Sequence, residues 1–126
     1  MSKKIVYSEL NKESLENILI NMTEEQAILI KFGATWCGPC QKIKTLCEQH
    51  FSTFSENLIC VDLDVDENFE IYGRYKVKKQ INGIPKMMIY YGKNEHNYWY
   101  LPDDSVSGSD YREINNFFDR IKKNIK

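Results

Sequence analysis

Two cysteines separated by two residues, Cys37 and Cys40, are the side chains in this sequence best suited to covalent chemistry. A thiol attacks only as the thiolate, and an unperturbed cysteine ionises near about pH 8.5. The stretch Trp36-Cys37-Gly38-Pro39-Cys40 falls where an apolar run ends and a helical pattern begins. A helix start presents unpaired N–H groups and a partial positive charge, which can lower a cysteine pKa to roughly 3.5–7.5. Cys37 is therefore expected to be the exposed attacker on a disulfide. Cys40, one turn further in, is expected to be the shielded thiol that resolves the mixed disulfide. Gly38 leaves the approach open, and Pro39 is tolerated in a first helical turn.

Stepping outward along the chain, the patterns supply elements to hold that pair. Ile5-Val6-Tyr7 is a short strand candidate, and Asn11 can cap a helix carrying Leu15, Ile18, Leu19 and Met22. Ala27 to Phe32 reads as a strand buried on both faces, Lys31 apart, and it runs straight into the motif. From Cys37 a helix follows, with Ile43, Leu46, Cys47, His50, Phe51 and Phe54 on one stripe; Leu58 to Asp64 is the next strand. Asp66 or Asn68 can cap a helix running to about Lys79. Asn82-Gly83-Ile84-Pro85 breaks that helix, and Lys86 to Tyr91 is a strand. Gly92 to Glu95 turns the chain into an aromatic-rich partner strand, His96 to Leu101. Asp110 and Glu113 offer a capping box for a closing helix striped by Ile114, Phe117, Phe118 and Ile121. The order βαβαβα, a hairpin, then a helix predicts an α/β fold: a central mixed sheet of four to five strands, flanked by helices on both faces. Residues 1–126 are expected to form one domain, without repeats, linkers or low-complexity tracts.

Composition narrows the function. The formal net charge of −1 implies no bulk attraction to nucleic acid or to anionic membranes. Met1-Ser2-Lys3-Lys4 leads into a polar segment with no apolar signal core, and no run is long enough to cross a bilayer. The expected compartment is the cytosol, where disulfides are transient or catalytic, which argues against a four-cysteine scaffold.

Trp-Cys-Gly-Pro-Cys after a strand and opening a long helix resembles the active site of the thioredoxin family, and the resemblance runs from about Ile5 to Ile121. It implies a thioredoxin fold and a protein-disulfide oxidoreductase working through a Cys37–Cys40 pair, with no bound cofactor. The family has a cis proline facing its cysteines, and Gly83-Ile84-Pro85 before an apolar strand matches it. By resemblance, Ile84 and Pro85 pair with an extended substrate segment, Gly108 lies near the family's substrate-contacting glycine, and Trp36 shapes the rim. The partners implied are disulfide-containing proteins and a thioredoxin-reductase-type or thiol electron donor, with the chain acting as a monomer.

The departures from the family pattern are informative. A buried Asp five residues before the motif Trp is usual; this chain has Lys31 there, and Asp62 where the family has the partner Lys. We expect the same ion pair with its ends exchanged, because a buried charge needs a partner. Asp62 would then accept the resolving thiol's proton, or Lys31 would favour the Cys40 thiolate; a lysine reaching solvent is the competing outcome. Gly33 stands where the family often has Trp, and Thr45 replaces its helix-kinking proline, so this helix is expected to be straighter.

Cys47 and Cys60 fit buried structural positions better than a zinc site, since they form no second close pair. His50 and His96 have no recognisable catalytic partner, which argues against a Cys-His hydrolase. The segment before Pro85, with Arg74, Lys76, Lys78 and Lys79, and the stretch Tyr98 to Asp104 are both longer than in common family members. They are candidates either for partner recognition near the active face or for plain packing and solvation. The reading from another class is an interaction module or complex subunit on the same fold, with redox activity incidental.

Overall fold

The computed structural model describes residues 4–125; Met1 to Lys3 and Lys126, parts of the single-domain and leader expectations, lie outside them. Nine elements follow in chain order: β1 (Val6–Tyr7), α1 (Lys12–Asn21), β2 (Ala27–Gly33), α2 (Gly38–Ser52), β3 (Leu58–Asp64), α3 (Phe69–Val77), β4 (Lys86–Tyr91), β5 (Asp104–Ser107) and α4 (Tyr111–Asn124). They build a five-stranded sheet in the order β1-β3-β2-β4-β5. β1 and β2 run parallel to β3, while β4 is antiparallel to both β2 and β5. The sheet is the mixed one the element order predicts.

Every residue of β2 is buried, as its near-unbroken apolar run requires of a central strand. Its alternate side chains feed two cores. Ile28, Ile30 and Phe32 pack with Leu15 of α1 and Ile71 and Tyr75 of α3. Ala27 and Leu29 pack on the opposite face with Ile43, Cys47 and Phe51 of α2 and the α4 stripe. Caps appear where the side chains allow them: Asn11 Oδ1 accepts from Ser14 N at 2.8 Å, and Asp110 Oδ1 accepts from Glu113 N at 3.1 Å. Asn68 precedes α3 but does not cap it with its side chain. Its amide donates to the Ser8 and Asp64 carbonyls and accepts from Leu10 N, tying the chain before α1 to the end of β3.

Three expectations need correction. The aromatic run His96 to Leu101 is not a strand; the partner of β4 is β5, starting at Asp104. Aromatic residues are common in strands, but here the side chains hold a loop. Tyr90 Oη donates to the Trp99 carbonyl at 2.8 Å and lies 2.7 Å from Tyr75 Oη, while Trp99 packs edge-on to Tyr75 at 5.0 Å. Asp103 Oδ2 accepts from Tyr91 N at 2.7 Å and sits 2.9 Å from His96 Nε2, anchoring the return into β5. Similarly, α2 stops at Ser52, so Phe54 packs on Phe118 from beyond the helix end.

Helix α3 also ends before Lys79. Lys79 adopts φ 60°, its N–H donates to the Lys76 carbonyl at 2.9 Å, and Gln80 N donates to the Tyr75 carbonyl at 3.0 Å. That is a Schellman ending with lysine in the left-handed position usually given to glycine. Lys79→Gly is therefore expected to stabilise the chain by about 0.5–1 kcal/mol, relief of the left-handed strain outweighing glycine's extra unfolded entropy. Urea denaturation of the two chains checks it; a destabilised variant would show that the lysine is not strained.

Candidate active site

β2 ends at Gly33 and α2 begins at Gly38, and the four residues between them turn the chain over the sheet edge. Cys37 is the N-cap of α2: its Sγ accepts from Cys40 N at 3.2 Å, using one of the helix's free donors. Cys37 and Cys40 form a disulfide, with Cα atoms 5.2 Å apart. Pro39 occupies the first turn. The expectation of an exposed Cys37 is corrected in one respect: the residue is only 6% exposed, against 3% for Cys40. What lies open is the rim, formed by Trp36, Gly38 and Pro39. The N-cap position turns Cys37 toward the Pro85 loop, whose Ile84 carbonyl oxygen lies 4.0 Å from Cys37 Sγ.

The Ile84–Pro85 bond is cis. The Pro85 carbonyl accepts from Gly108 N at 3.0 Å, which sets Gly108 beside Pro85. Gly108 has φ 88° with open space where a Cβ would go, so the backbone conformation, not crowding, selects glycine. Trp36, 68% exposed, is held by its indole N–H, which donates to Asp66 Oδ2 at 2.7 Å. Sequence reading treated Asp66 only as a helix-cap candidate; nothing local marks it as the indole's partner, because the contact spans thirty positions.

Beneath the pair, Lys31 and Asp62 are register partners on β2 and β3, and Lys31 Nζ lies 3.4 Å from Asp62 Oδ1. Lys31 is 4% exposed, so it does not reach solvent, whereas the Asp62 side chain is about a third exposed (34%). The exchanged pair thus buries its cation and leaves its anion at the edge of water. Both line a cavity of about 170 Å³ together with Gly33, Cys40, Gln41 and Lys44.

Cys47 and Cys60 are free, buried, and packed on the opposite core from Cys37 and Cys40, so the four sulfurs do not converge. Burial pushes both thiols up to about 11; Lys31 moderates the effect at Cys47, and Lys4 at Cys60. Among the described residues no cluster of three or more His, Cys, Asp or Glu is arranged to hold a metal. Lys78 Nζ of the basic segment sits 4.8 Å over the Tyr100 ring of the aromatic stretch, whereas Lys76 Nζ lies 5.4 Å over Tyr72 within α3. His50 stacks on Phe118 at 4.2 Å and meets Asn115 at 2.7 Å, a packing role.

The fold and the paired cysteines at a helix start define the class, a thioredoxin-like α/β domain. The crystal structure of a Plasmodium falciparum thioredoxin superposes with a TM-score of 0.66 at 28% identity, covering 95% of this chain and 89% of that one. Spinach chloroplast thioredoxin f gives a TM-score of 0.69 at 19% identity, over 97% of this chain and 99% of that one, a likeness of fold. The Thioredoxin family model matches residues 6–120, and the chain belongs to the thioredoxin family. Among curated relatives, Plasmodium falciparum thioredoxin 3 is 31% identical over 115 residues, 91% of this chain and 59% of its own length. Bacillus subtilis thioredoxin is 37% identical over 67 residues, 53% of this chain and 61% of its own. The matches therefore span somewhat under two thirds of those relatives' lengths.

Two outcomes follow from this geometry. Lys31→Ala and Asp62→Ala should each destabilise the chain, and the double variant should cost less than the two together. The coupling should fall at the lower end of about 0.5–3 kcal/mol because water screens Asp62. A double-mutant cycle by urea denaturation measures it, and additive costs would remove the pair. The buried thiols carry the second outcome. Folded Cys47 and Cys60 hold their protons to about 11, but unfolded ones release them from 9.0 upward, so in that window the unfolded chain binds fewer protons. Their contribution to stability is whole below 9.0 and is lost as pH rises toward 11. The urea midpoint should fall across that window, and Cys60→Ala should flatten the fall.

Proposed function

We propose that this chain is a thiol–disulfide oxidoreductase that reduces or exchanges disulfides of protein substrates. The observation that carries the reading is the Cys37–Cys40 disulfide at the first turn of α2, with the Ile84 carbonyl beside Cys37 Sγ. In the reducing direction, the Cys37 thiolate attacks one substrate sulfur and expels the other. Cys40 then attacks Cys37 Sγ, releasing the reduced substrate and closing the intramolecular disulfide. The helix start favours the Cys37 thiolate both as attacker and as leaving group. Trp36, fixed by Asp66, forms one wall for the substrate; Gly38 and Pro39 keep the approach narrow and open. Ile84, Pro85 and Gly108 offer backbone groups to an extended substrate segment, and Lys31 with Asp62 supports the buried sulfur.

No bound cofactor is needed for this chemistry; electrons come from a reductase or a thiol pool. The near-neutral charge suits protein partners, not nucleic acid. Among the described residues no helix is long and apolar enough to cross a membrane. Two unpaired buried cysteines beside one reactive pair suit a reducing compartment such as the cytoplasm, with the chain working as a single-domain monomer.

Turbidity from reduced insulin, with dithiothreitol as electron donor, tests the reading. The wild-type chain should accelerate precipitation, Cys37→Ser should fall to the rate of dithiothreitol alone, and Cys40→Ser should accumulate a mixed disulfide visible by mass spectrometry. A wild-type chain no faster than dithiothreitol would leave the interaction-module reading in its place.

A further inference from the structure

Resolution of the mixed disulfide requires Cys40 to lose a proton while only 3% exposed, and burial works against that, as it does at Cys47. The groups facing Cys40 decide how the cost is met. A Cβ built on Gly33 would lie 3.6 Å from Cys40 Sγ and 3.8 Å from Lys31 Nζ, so the two atoms are no further apart than the sum of those distances. Lys31 reaches this point from β2, with Asp62 behind it on β3. Lys44 of α2 and Asp64 at the end of β3 complete the charged lining of the cavity. Further along α2, Lys31 opposes the effect of burial on the Cys47 thiol and Asp62 adds to it. An ammonium has no room for another proton and cannot act as a base, but it can hold a thiolate.

We propose that Lys31 is the electrostatic partner of the Cys40 thiolate, with Asp62 the opposing charge that partly offsets that support. This rests on the reading of Cys40 as the resolving sulfur. The Cys40 proton leaves to water through the cavity of about 170 Å³ that Gly33 leaves unfilled. The Cys40 electron pair forms the bond to Cys37 Sγ; the bond from Cys37 Sγ to the substrate sulfur breaks, and that sulfur leaves with its pair and takes a proton from water. Inverting the pair relative to the family pattern thus puts on β2, the strand beneath the buried sulfur, a fixed positive charge in place of a proton acceptor.

The test isolates Cys40 in a Cys37→Ser chain and follows its alkylation by iodoacetamide against pH, read by peptide mass spectrometry. Adding Lys31→Met should slow alkylation at pH 7 by about tenfold and move the inflection to higher pH, and Lys31→Arg should restore the original profile. Asp62→Asn, which removes the opposing charge, should speed alkylation. An unchanged profile in Lys31→Met, or slower alkylation in Asp62→Asn, overturns the proposal. Should Lys31→Met fail to fold by circular dichroism, the direction of the Asp62→Asn change decides. The readout is ionisation of Cys40 and not turnover, so failure here and failure of the insulin assay are separate results.

Discussion

The structure depends on β2 being paired on both edges and covered on both faces. β3 fixes one edge in parallel register through Gly33, and β4 fixes the other antiparallel as far as Phe32, so the end of the strand is held. A strand buried this way cannot slip by one residue without exchanging the two cores, since Ile28, Ile30 and Phe32 face one and Ala27 and Leu29 the other. The four-residue turn to α2 inherits that rigidity, and with it the position of both sulfurs. The reactive pair is thus a property of the sheet as much as of the motif.

The same constraint explains why a lysine can occupy the strand at all. At position 31 the strand offers no route to solvent, and an isolated ammonium there would be costly. Asp62 stands opposite in register, so the partner comes from the strand pairing itself and requires no special loop. The partly exposed carboxylate keeps contact with water while the cation stays under α2. With Lys31 enclosed and Asp62 screened by water, the two charges of the pair are not equivalent.

Much of this was legible in the residues. The apolar run of β2, the capping side chains Asn11 and Asp110, and the aromatic stripe of α4 are local signals, and each specifies its element. The sulfur pair was legible because two residue types at one spacing coincide with a strand-to-helix boundary. The lysine–aspartate pairing was readable only through the family pattern, because a cross-strand partner leaves no trace in local sequence. The strand misplaced at His96 to Leu101 failed for a related reason: aromatic enrichment is a strand signal, and here the Tyr75–Tyr90–Trp99 contacts engage it from a loop. Asp66 was missed as the partner of Trp36 because its usefulness depends on where α3 begins relative to the motif.

The tyrosine contacts under the long loop carry a consequence for how this chain can vary. The loop between β4 and β5 is held against the C-terminal end of α3, through Tyr75, Tyr90 and Trp99 inside and Lys78 over Tyr100 outside. Neither segment is a free appendage; they are two halves of one brace. Related chains that shorten one should shorten the other, and a graft that moves a single half would open a gap in the sheet's flank.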